Sequence, residues 1–586
     1  MERIKTRFAA NVDVARVLPE YPRPQLVREG WMNLNGLYDY AVTPHGAQQP
    51  ERFEGQILVP FCIESSLSGV ERALKPDELL WYRRTFELSE AFYGKKVILH
   101  FGAVDWQCKV WVNGKLVGTH TGGYCPFSFE ITGYINAHNN ELTVCVYDPT
   151  DEGWQQRGKQ VLKTHGFWYT ATSGIWQTVW LEAVDRCYIR EVKAVPDIDR
   201  GLFTLNTKLY CDEGYQLKLR VFDEGKEIIA REISTSEEIE LPDAKLWSPE
   251  SPFLYDLQLE LSTQGELRDT VRSYVGMRKC SIGRDEKGLP RLLLNNKPYF
   301  QRGLLDQGYW CESLLTPPTD EAMVYDIEVA KRLGFNMLRK HIKVEPARWY
   351  YHCDRIGMLV WQDMVNGGRD YKSWYVTYMA TAMEGMHIRA KDTRIHLMGR
   401  QDPAGQRQFE KEMKETVRLL YNHPSIVTWV IFNEGWGQFQ TKKMTDRVRA
   451  EDPYRLTDSA SGWFDQGCGD IRSIHDYFFP LHVTPEKRVT ALTEFGGYSL
   501  QIPKHSMYEK KVYGYKKFKR KRELTAGYEK LIKKLIIPNI SRGLSATVYT
   551  QLSDIEEEVN GIISYDRKIV KMDEKTVKKL NEKLHF

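Results

Sequence analysis

Ile426-Val427-Thr428-Trp429-Val430-Ile431-Phe432 is a mostly apolar run that ends in Asn433-Glu434-Gly435-Trp436-Gly437, and Thr493-Glu494-Phe495-Gly496-Gly497 closes a second short run further on. A hydrophobic strand that carries a carboxylate at its C-terminal tip places that acid at the mouth of a parallel barrel, where loops rather than core surround it. The two glutamates therefore predict a barrel with paired acids at one end.

Working outward from these runs, the chain after about Arg284 alternates strand and amphipathic helix, the pattern of a parallel sheet. Eight strands are expected: Tyr299–Gly303, Asn336–His341, Leu359–Met364, Ile426–Asn433, Arg455–Ala460, Ser473–Tyr477, Thr490–Glu494 and Ala546–Gln551. Helices over Met323–Leu333, Ala347–Ile356 and Gln408–Tyr421 fit the intervals, and eight strands are what a closed (β/α) barrel needs. In this register the strand tips would gather Arg302, Asp306, Arg339, His341, Asp363, Asn433, Glu434, His475, Asp476, Tyr477, Glu494 and Gln551 on one face. Any one of them is explained by the salt bridges a barrel rim needs, but charge on an apolar strand tip is costly and the set points to a site.

Upstream the texture is β. From about Trp31 to Glu182, short alternating segments are broken by Gly, Asn and Pro, as in an antiparallel sandwich; Val110 and Val112 alternate with Trp111 before Asn113-Gly114 supplies a type I′ hairpin turn. A second β segment, Cys187 to Arg278, suits an immunoglobulin-like sandwich, with alternation in Leu217–Phe222 and Leu254–Leu261 and an exposed loop at Leu246–Pro252. With 586 residues the chain exceeds the roughly 250–300 that one core supports. The expected architecture is multidomain β plus α/β: an N-terminal jelly-roll over 1–185, an immunoglobulin-like sandwich over 186–282 and a C-terminal (β/α)8 TIM barrel over 283–586.

A net charge of +4 on this length gives no global field for nucleic acid or an anionic membrane. The basic stretch from Lys510 to Arg522 reads as a solvated helix face, because Glu523 follows and helical spacing continues to Leu535. The ten cysteines include no Cys-x-x-Cys pair and no histidine at zinc spacing, so reduced thiols, no metal, no cofactor and a cytoplasmic location are expected. The first residues carry no apolar stretch long enough for a signal peptide, and no run of about 20 apolar residues occurs. The expected partner is a carbohydrate or glycoside, with neither nucleic acid nor membrane, and the N-terminal domain either adds loops to the site or packs as a homo-oligomer interface.

Cleavage of a glycoside passes through an oxocarbenium-like transition state, so one carboxylic acid must protonate the leaving oxygen while a second carboxylate attacks the anomeric carbon. Glu434, beside apolar Trp436, is the expected acid and base; Glu494 is the expected ionised nucleophile. Tyr477 would hold Glu494, and Asn433 would bind the sugar 2-hydroxyl.

At this point the chain resembles glycoside hydrolase family 2, the clan of β-galactosidases, β-glucuronidases and β-mannosidases. The resemblance runs through Trp111-Val112-Asn113-Gly114, Gly122-Gly123-Tyr124, Ser173-Gly174-Ile175-Trp176, Pro252-Phe253-Leu254-Tyr255, Val275-Gly276-Met277-Arg278, Arg302-Gly303, Leu333-Gly334-Phe335-Asn336 with Arg339, Cys353-Asp354-Arg355-Ile356-Gly357, Asn422-His423-Pro424-Ser425, Asn433-Glu434 and Glu494-Phe495-Gly496. It implies a sugar-binding jelly roll, an immunoglobulin-like domain and a catalytic barrel that retains anomeric configuration, with the two glutamates in the roles just derived. The sequence departs where relatives carry an Arg-His-Glu stretch after the Arg-Gly pair, here Leu304-Leu305-Asp306-Gln307-Gly308-Tyr309-Trp310; His341 stands one place nearer Arg339 than the family pattern, and no lysine lies near Asn560-Gly561-Ile562. That last absence argues against a glucuronide. A retaining exo-acting β-galactosidase is the expectation, with α-L-arabinofuranoside, β-galactofuranoside, β-glucuronide and β-mannoside specificities as alternatives and a non-catalytic carbohydrate-binding protein as the rival from another class.

Overall fold

A computed structural model describes residues 4–386, 388–478, 481–484, 486–510 and 512–586. Met1–Arg3 and Lys511, read above, lie outside them.

In the first β region, buried Val110 and Val112 and half-buried Trp111 alternate along Gln107–Val112. Asn113 and Gly114 take φ of 51° and 73°, the left-handed pair a two-residue hairpin requires, and the chain returns as Lys115–Thr121 with Val112 opposite Lys115. This hairpin edges a six-stranded sheet that faces a four-stranded one containing Lys96–Phe101 and Val179–Val184. Val110, Val112, Leu99 and Leu181 meet between them in one apolar core.

The second region is a smaller sandwich of three and four strands. Its Tyr255–Thr263 strand alternates buried and outward positions, as a sheet with one wet face must. Two expectations are corrected here. Cys187 and Cys211 form a disulfide, because the register that pairs Tyr188 with Tyr210 leaves them facing each other just beyond the strand ends, Cα atoms 4.3 Å apart; the other eight cysteines are free. The loop Leu246–Pro252 is not wholly exposed, since Trp247 is fully buried under the barrel and its indole N–H donates to Asp354 O at 2.7 Å.

All eight expected barrel strands form, and they are β1 Gln301–Asp306, β2 Met337–Lys340, β3 Leu359–Asp363, β4 Ile426–Val430, β5 Leu456–Asp458, β6 Ile471–Asp476, β7 Val489–Gly496 and β8 Leu544–Thr550. They pair in parallel in the spatial order β5-β4-β3-β2-β1-β8-β7-β6. The near-closed ring is completed beside β5 and β6, where Asp470 N donates to Thr457 O at 2.8 Å and Ser473 Oγ donates to Asp458 Oδ2 at 2.8 Å. β3 and β4 are buried at every position, the mark of strands covered on both faces. Helices α1 Asp320–Arg332, α2 Ala347–Ile356 and α3 Pro403–Leu420 pack outside. The basic stretch is not the helix face expected of it: Lys510 and residues 512–520 are non-helical, and only Lys521 and Arg522 enter the helix Lys521–Leu531, with Arg520 at its N-terminus paired to Glu523. No helix among the described residues is long and apolar enough to cross a membrane.

The three regions are joined by buried polar contacts. Arg28 spans the two sandwiches, reaching Glu182 at 2.9 Å and Asp269 at 2.8 Å.

Candidate active site

Beyond the buried strand β4, the chain continues through Phe432 and Asn433 and then turns at Glu434, whose φ of 49° is left-handed. Gly435 and Gly437 follow at 76° and 65°. A non-glycine residue held in that region costs about 1–3 kcal/mol and persists where its surroundings fix it; here Glu434 N donates to Ser461 O at 3.0 Å. Glu494 lies within β7, opposite His475 of β6 at a register irregularity. One carboxylate oxygen of Glu434, one of Glu494 and a ring nitrogen of His475 all lie within 4.8 Å of one another.

The two acids have different surroundings. Glu494 Oε1 accepts from Arg339 Nη1 at 3.1 Å and Oε2 accepts from Tyr477 OH at 2.6 Å. Burial pushes the Glu494 carboxyl up, but His475, Arg339 and His341 together with the Tyr477 bond outweigh it and bring it to about 2. Glu434 Oε1 sits 2.8 Å from His475 Nδ1 and keeps 15% of its side chain exposed, against 8% for Glu494. His475 Nε2 is in turn 3.0 Å from Ser461 Oγ, which donates to Thr493 Oγ1 at 3.0 Å.

Arg339 organises the floor. It is fully buried, forks onto both oxygens of Asp363 at 3.0 Å, and donates to Asn433 Oδ1 at 2.8 Å. His341 Nδ1 lies 2.8 Å from Asp363 Oδ2, and burial followed by the nearby Lys159 and Arg339 charges holds its ring well below the ordinary histidine value. Asn433 Nδ2, by contrast, is buried and has no partner among the described residues. Burial also lifts Asp458 to about 6, against the pull of Arg339 and Ser473.

Trp436 forms the side wall with Phe167 and Trp168 of the N-terminal domain, at ring separations of 5.9 and 5.2 Å. Tyr515 stacks on Tyr477 at 3.9 Å, and Tyr513 meets Phe167 edge-on at 5.4 Å. The segment from Lys159 to Thr170 is anchored to the barrel by Gly166 N to Glu557 at 3.0 Å, Thr170 N to Glu556 at 2.8 Å and a bond from Tyr169 OH to Glu558. The N-terminal domain therefore supplies part of the wall.

Of the residues expected here, Glu434, Glu494, Asn433, Tyr477, His475, Arg339, His341, Asp363 and Trp436 converge. Three do not. Arg302 starts β1 and donates to Gly334 O at 2.7 Å and Leu584 O at 3.3 Å, at the opposite end of the barrel; it precedes the strand's tip rather than forming it. Asp306 is in register with Lys340, next to inward Arg339, so it faces the helix layer and pairs with Lys340 at 2.6 Å in a buried cluster with Glu345. Gln551 has both ends engaged, accepting from Gln307 at 2.5 Å and donating to Asn560 at 2.8 Å, and so supports the wall that carries Glu558. Trp310 is also elsewhere, under the Arg567 guanidinium at 4.2 Å.

Glu434, His475 and Glu494 carry atoms of types that hold metal ions. Both ring nitrogens of His475 already have partners and Arg339 supplies positive charge at Glu494, so a cation there would compete with contacts the site makes for itself.

A parallel barrel whose mouth brings two carboxylates this close, one on a strand and one on the turn after a strand, has the arrangement that cleavage of a glycoside requires. The family model for the sugar binding domain of glycosyl hydrolases family 2 matches residues 59–184, a second family 2 model matches 187–278, and the family's TIM barrel domain matches 291–494. The chain belongs to glycoside hydrolase family 2. It is 26% identical over 395 residues to a β-galactosidase of Lactobacillus delbrueckii subsp. bulgaricus, covering 64% of this chain and 36% of that one; the chain thus spans little more than a third of that relative's length. Its fold matches a β-D-glucuronidase from Dictyoglomus thermophilum at a TM-score of 0.74, with 16% identity over 96% of this chain and 98% of that one. A β-galacturonidase from Eisenbergiella tayi matches at 0.70, with 20% identity over 97% and 99%.

Proposed function

We propose that the chain is a retaining, exo-acting β-glycosidase with Glu494 as nucleophile and Glu434 as acid and base. The observation that carries this reading is the approach of the two carboxylates to within 4.8 Å, which suits direct attack at the anomeric carbon and leaves no room for the water that an inverting pair, about 6.5–9.5 Å apart, must admit. Glu494, ionised between Arg339 and Tyr477, attacks the anomeric carbon as Glu434 gives its proton to the departing glycosidic oxygen. A glycosyl ester on Glu494 results. Glu434 then takes a proton from water, whose oxygen attacks the same carbon and frees Glu494.

Asn433 Nδ2, buried without a partner, is placed to donate to the sugar 2-hydroxyl, a bond that strengthens as charge develops. Walls from Trp436, Phe167, Tyr513 and Tyr515 favour a pocket that takes a terminal sugar. The relatives named above include a galactosidase, a glucuronidase and a galacturonidase, so the glycone is a β-linked hexose or hexuronic acid in this proposal. The test is turnover on a panel of nitrophenyl β-glycosides before and after Glu494→Gln. Hydrolysis of at least one glycoside, lowered several powers of ten by the substitution, is expected. Turnover of none between mild acid and neutrality, or near-normal rates in the variant, would overturn the proposal.

A further inference from the structure

Lys159 lies on the N-terminal domain's segment into the barrel mouth and is 6% exposed. Its ammonium sits over three rings of the wall, 5.6 Å from Phe167, 5.6 Å from Tyr169 and 5.7 Å from Trp436. The carboxylates of Glu558, Glu494 and Glu434 all act on its charge. Each of these already has nearer partners: Glu494 has Arg339 and Tyr477, Glu434 has His475, and Glu558 has Tyr169 and Asn560. Among the described residues no hydrogen bond or ion pair engages the Lys159 amine. A largely buried ammonium with no direct partner in a site lined by aromatic rings gains most from a ligand carboxylate that pairs it.

Lys571 is not available for this task. Lys571 follows the Asn560-Gly561-Ile562 turn in which the sequence lacks a lysine, but it is fully buried and bound to Asp554 at 2.5 Å, Leu500 O at 2.9 Å and Val559 O at 2.9 Å.

We propose that Lys159 receives the carboxylate of the glycone, so that the substrates are β-glycosides of a hexuronic acid rather than of a neutral hexose. The inference rests on the catalytic reading of Glu434 and Glu494. It also revises the argument from the missing lysine, since the cation reaches the pocket from another domain. A neutral sugar would leave the ammonium facing a hydroxymethyl group, whereas a uronate pairs it.

The experiment compares kcat/KM for matched nitrophenyl pairs, β-D-glucuronide with β-D-glucoside and β-D-galacturonide with β-D-galactoside, in the wild type, Lys159→Met and Lys159→Arg. In at least one pair the wild type is expected to favour the uronide by about 100-fold or more, as sites built around a polar partner do. Lys159→Met should cut that ratio by about 100-fold and Lys159→Arg should restore part of it. A wild type that prefers the neutral member of both pairs, or a Lys159→Met variant that lowers both members equally, would overturn the proposal. Glu494→Gln separates this from a failure of the catalytic reading. Calorimetry on that variant should show free glucuronate or galacturonate binding at least 10-fold tighter than glucose and galactose, with the difference lost in Glu494→Gln/Lys159→Met. Equal binding of acid and neutral sugars counts against Lys159; retained turnover in Glu494→Gln counts against the nucleophile assignment alone.

Discussion

Tyr477 donates its hydroxyl hydrogen to Glu494 Oε2 across 2.6 Å, from a position just beyond the end of the adjacent strand. The other oxygen of the same carboxylate belongs to Arg339. Together they hold the Glu494 carboxylate ionised and fix its orientation, as the nucleophile role proposed for it requires.

Tyr477→Phe removes one of those bonds. A hydrogen bond to a charged group is worth about 1.5–3 kcal/mol, so kcat/KM should fall about 10- to 100-fold. The bond also favours the ionised form of Glu494. Losing it raises the carboxyl's value, and the midpoint of the acid limb of kcat/KM that this group sets should move to higher pH. A pH profile of both proteins measures this; a limb that moves down would contradict it.

Glu434→Ala should spare substrates that need no help in leaving. Rates with a dinitrophenyl glycoside, whose phenolate departs unprotonated, should fall far less than those with an alkyl glycoside, which requires the acid. Steady-state comparison across leaving groups gives the answer. Equal losses throughout would remove Glu434 from the acid role.

Asn433 tests the contact to the 2-hydroxyl. Its Oδ1 accepts from Arg339 at 2.8 Å while Nδ2 is unpartnered. Asn433→Ala should therefore slow an intact glycoside at least about 10-fold more than its 2-deoxy counterpart, in line with a contact that tightens in the transition state. Parallel losses on both substrates would show that the amide only positions Arg339.

The junction between the sandwiches makes a stability prediction. Burial raises the Glu182 carboxyl, but Arg23, His100 and Arg28 outweigh it and hold the group well below its ordinary value of 4.5. Because the folded value is depressed, the stabilisation is present above 4.5 and is lost as pH falls through the folded value. Scanning calorimetry should show the wild-type melting temperature dropping in acid. Glu182→Gln, which leaves buried Arg28 and half-buried Arg23 underpaired, should cost about 3 kcal/mol near neutrality and weaken that acid dependence. An unchanged acid slope would contradict the role given to Glu182.

Much of this site was legible in the sequence because strands report their own tips. Asn433-Glu434 and Glu494 each end an apolar run, and the eight-strand register carried Arg339, His341, Asp363, His475 and Tyr477 to the same mouth. Arg302 and Asp306 fell outside for reasons of phase. β1 extends to Asp306 rather than ending at Gly303, which puts Arg302 at the far end, and side-chain alternation turns Asp306 outward beside Lys340. Lys159, Phe167 and Trp168 were not legible, because nothing in a loop of the first domain marks which surface of the third it will meet. The same limit hid the Cys187–Cys211 bond, whose partners are distant until the strand register brings them level.

The most direct test of the account is the configuration of the first sugar released. Proton magnetic resonance during early turnover of a nitrophenyl β-glycoside, before mutarotation, should show the β-anomer, as double displacement through Glu494 with the carboxylates within 4.8 Å requires. An α-anomer as first product would contradict it.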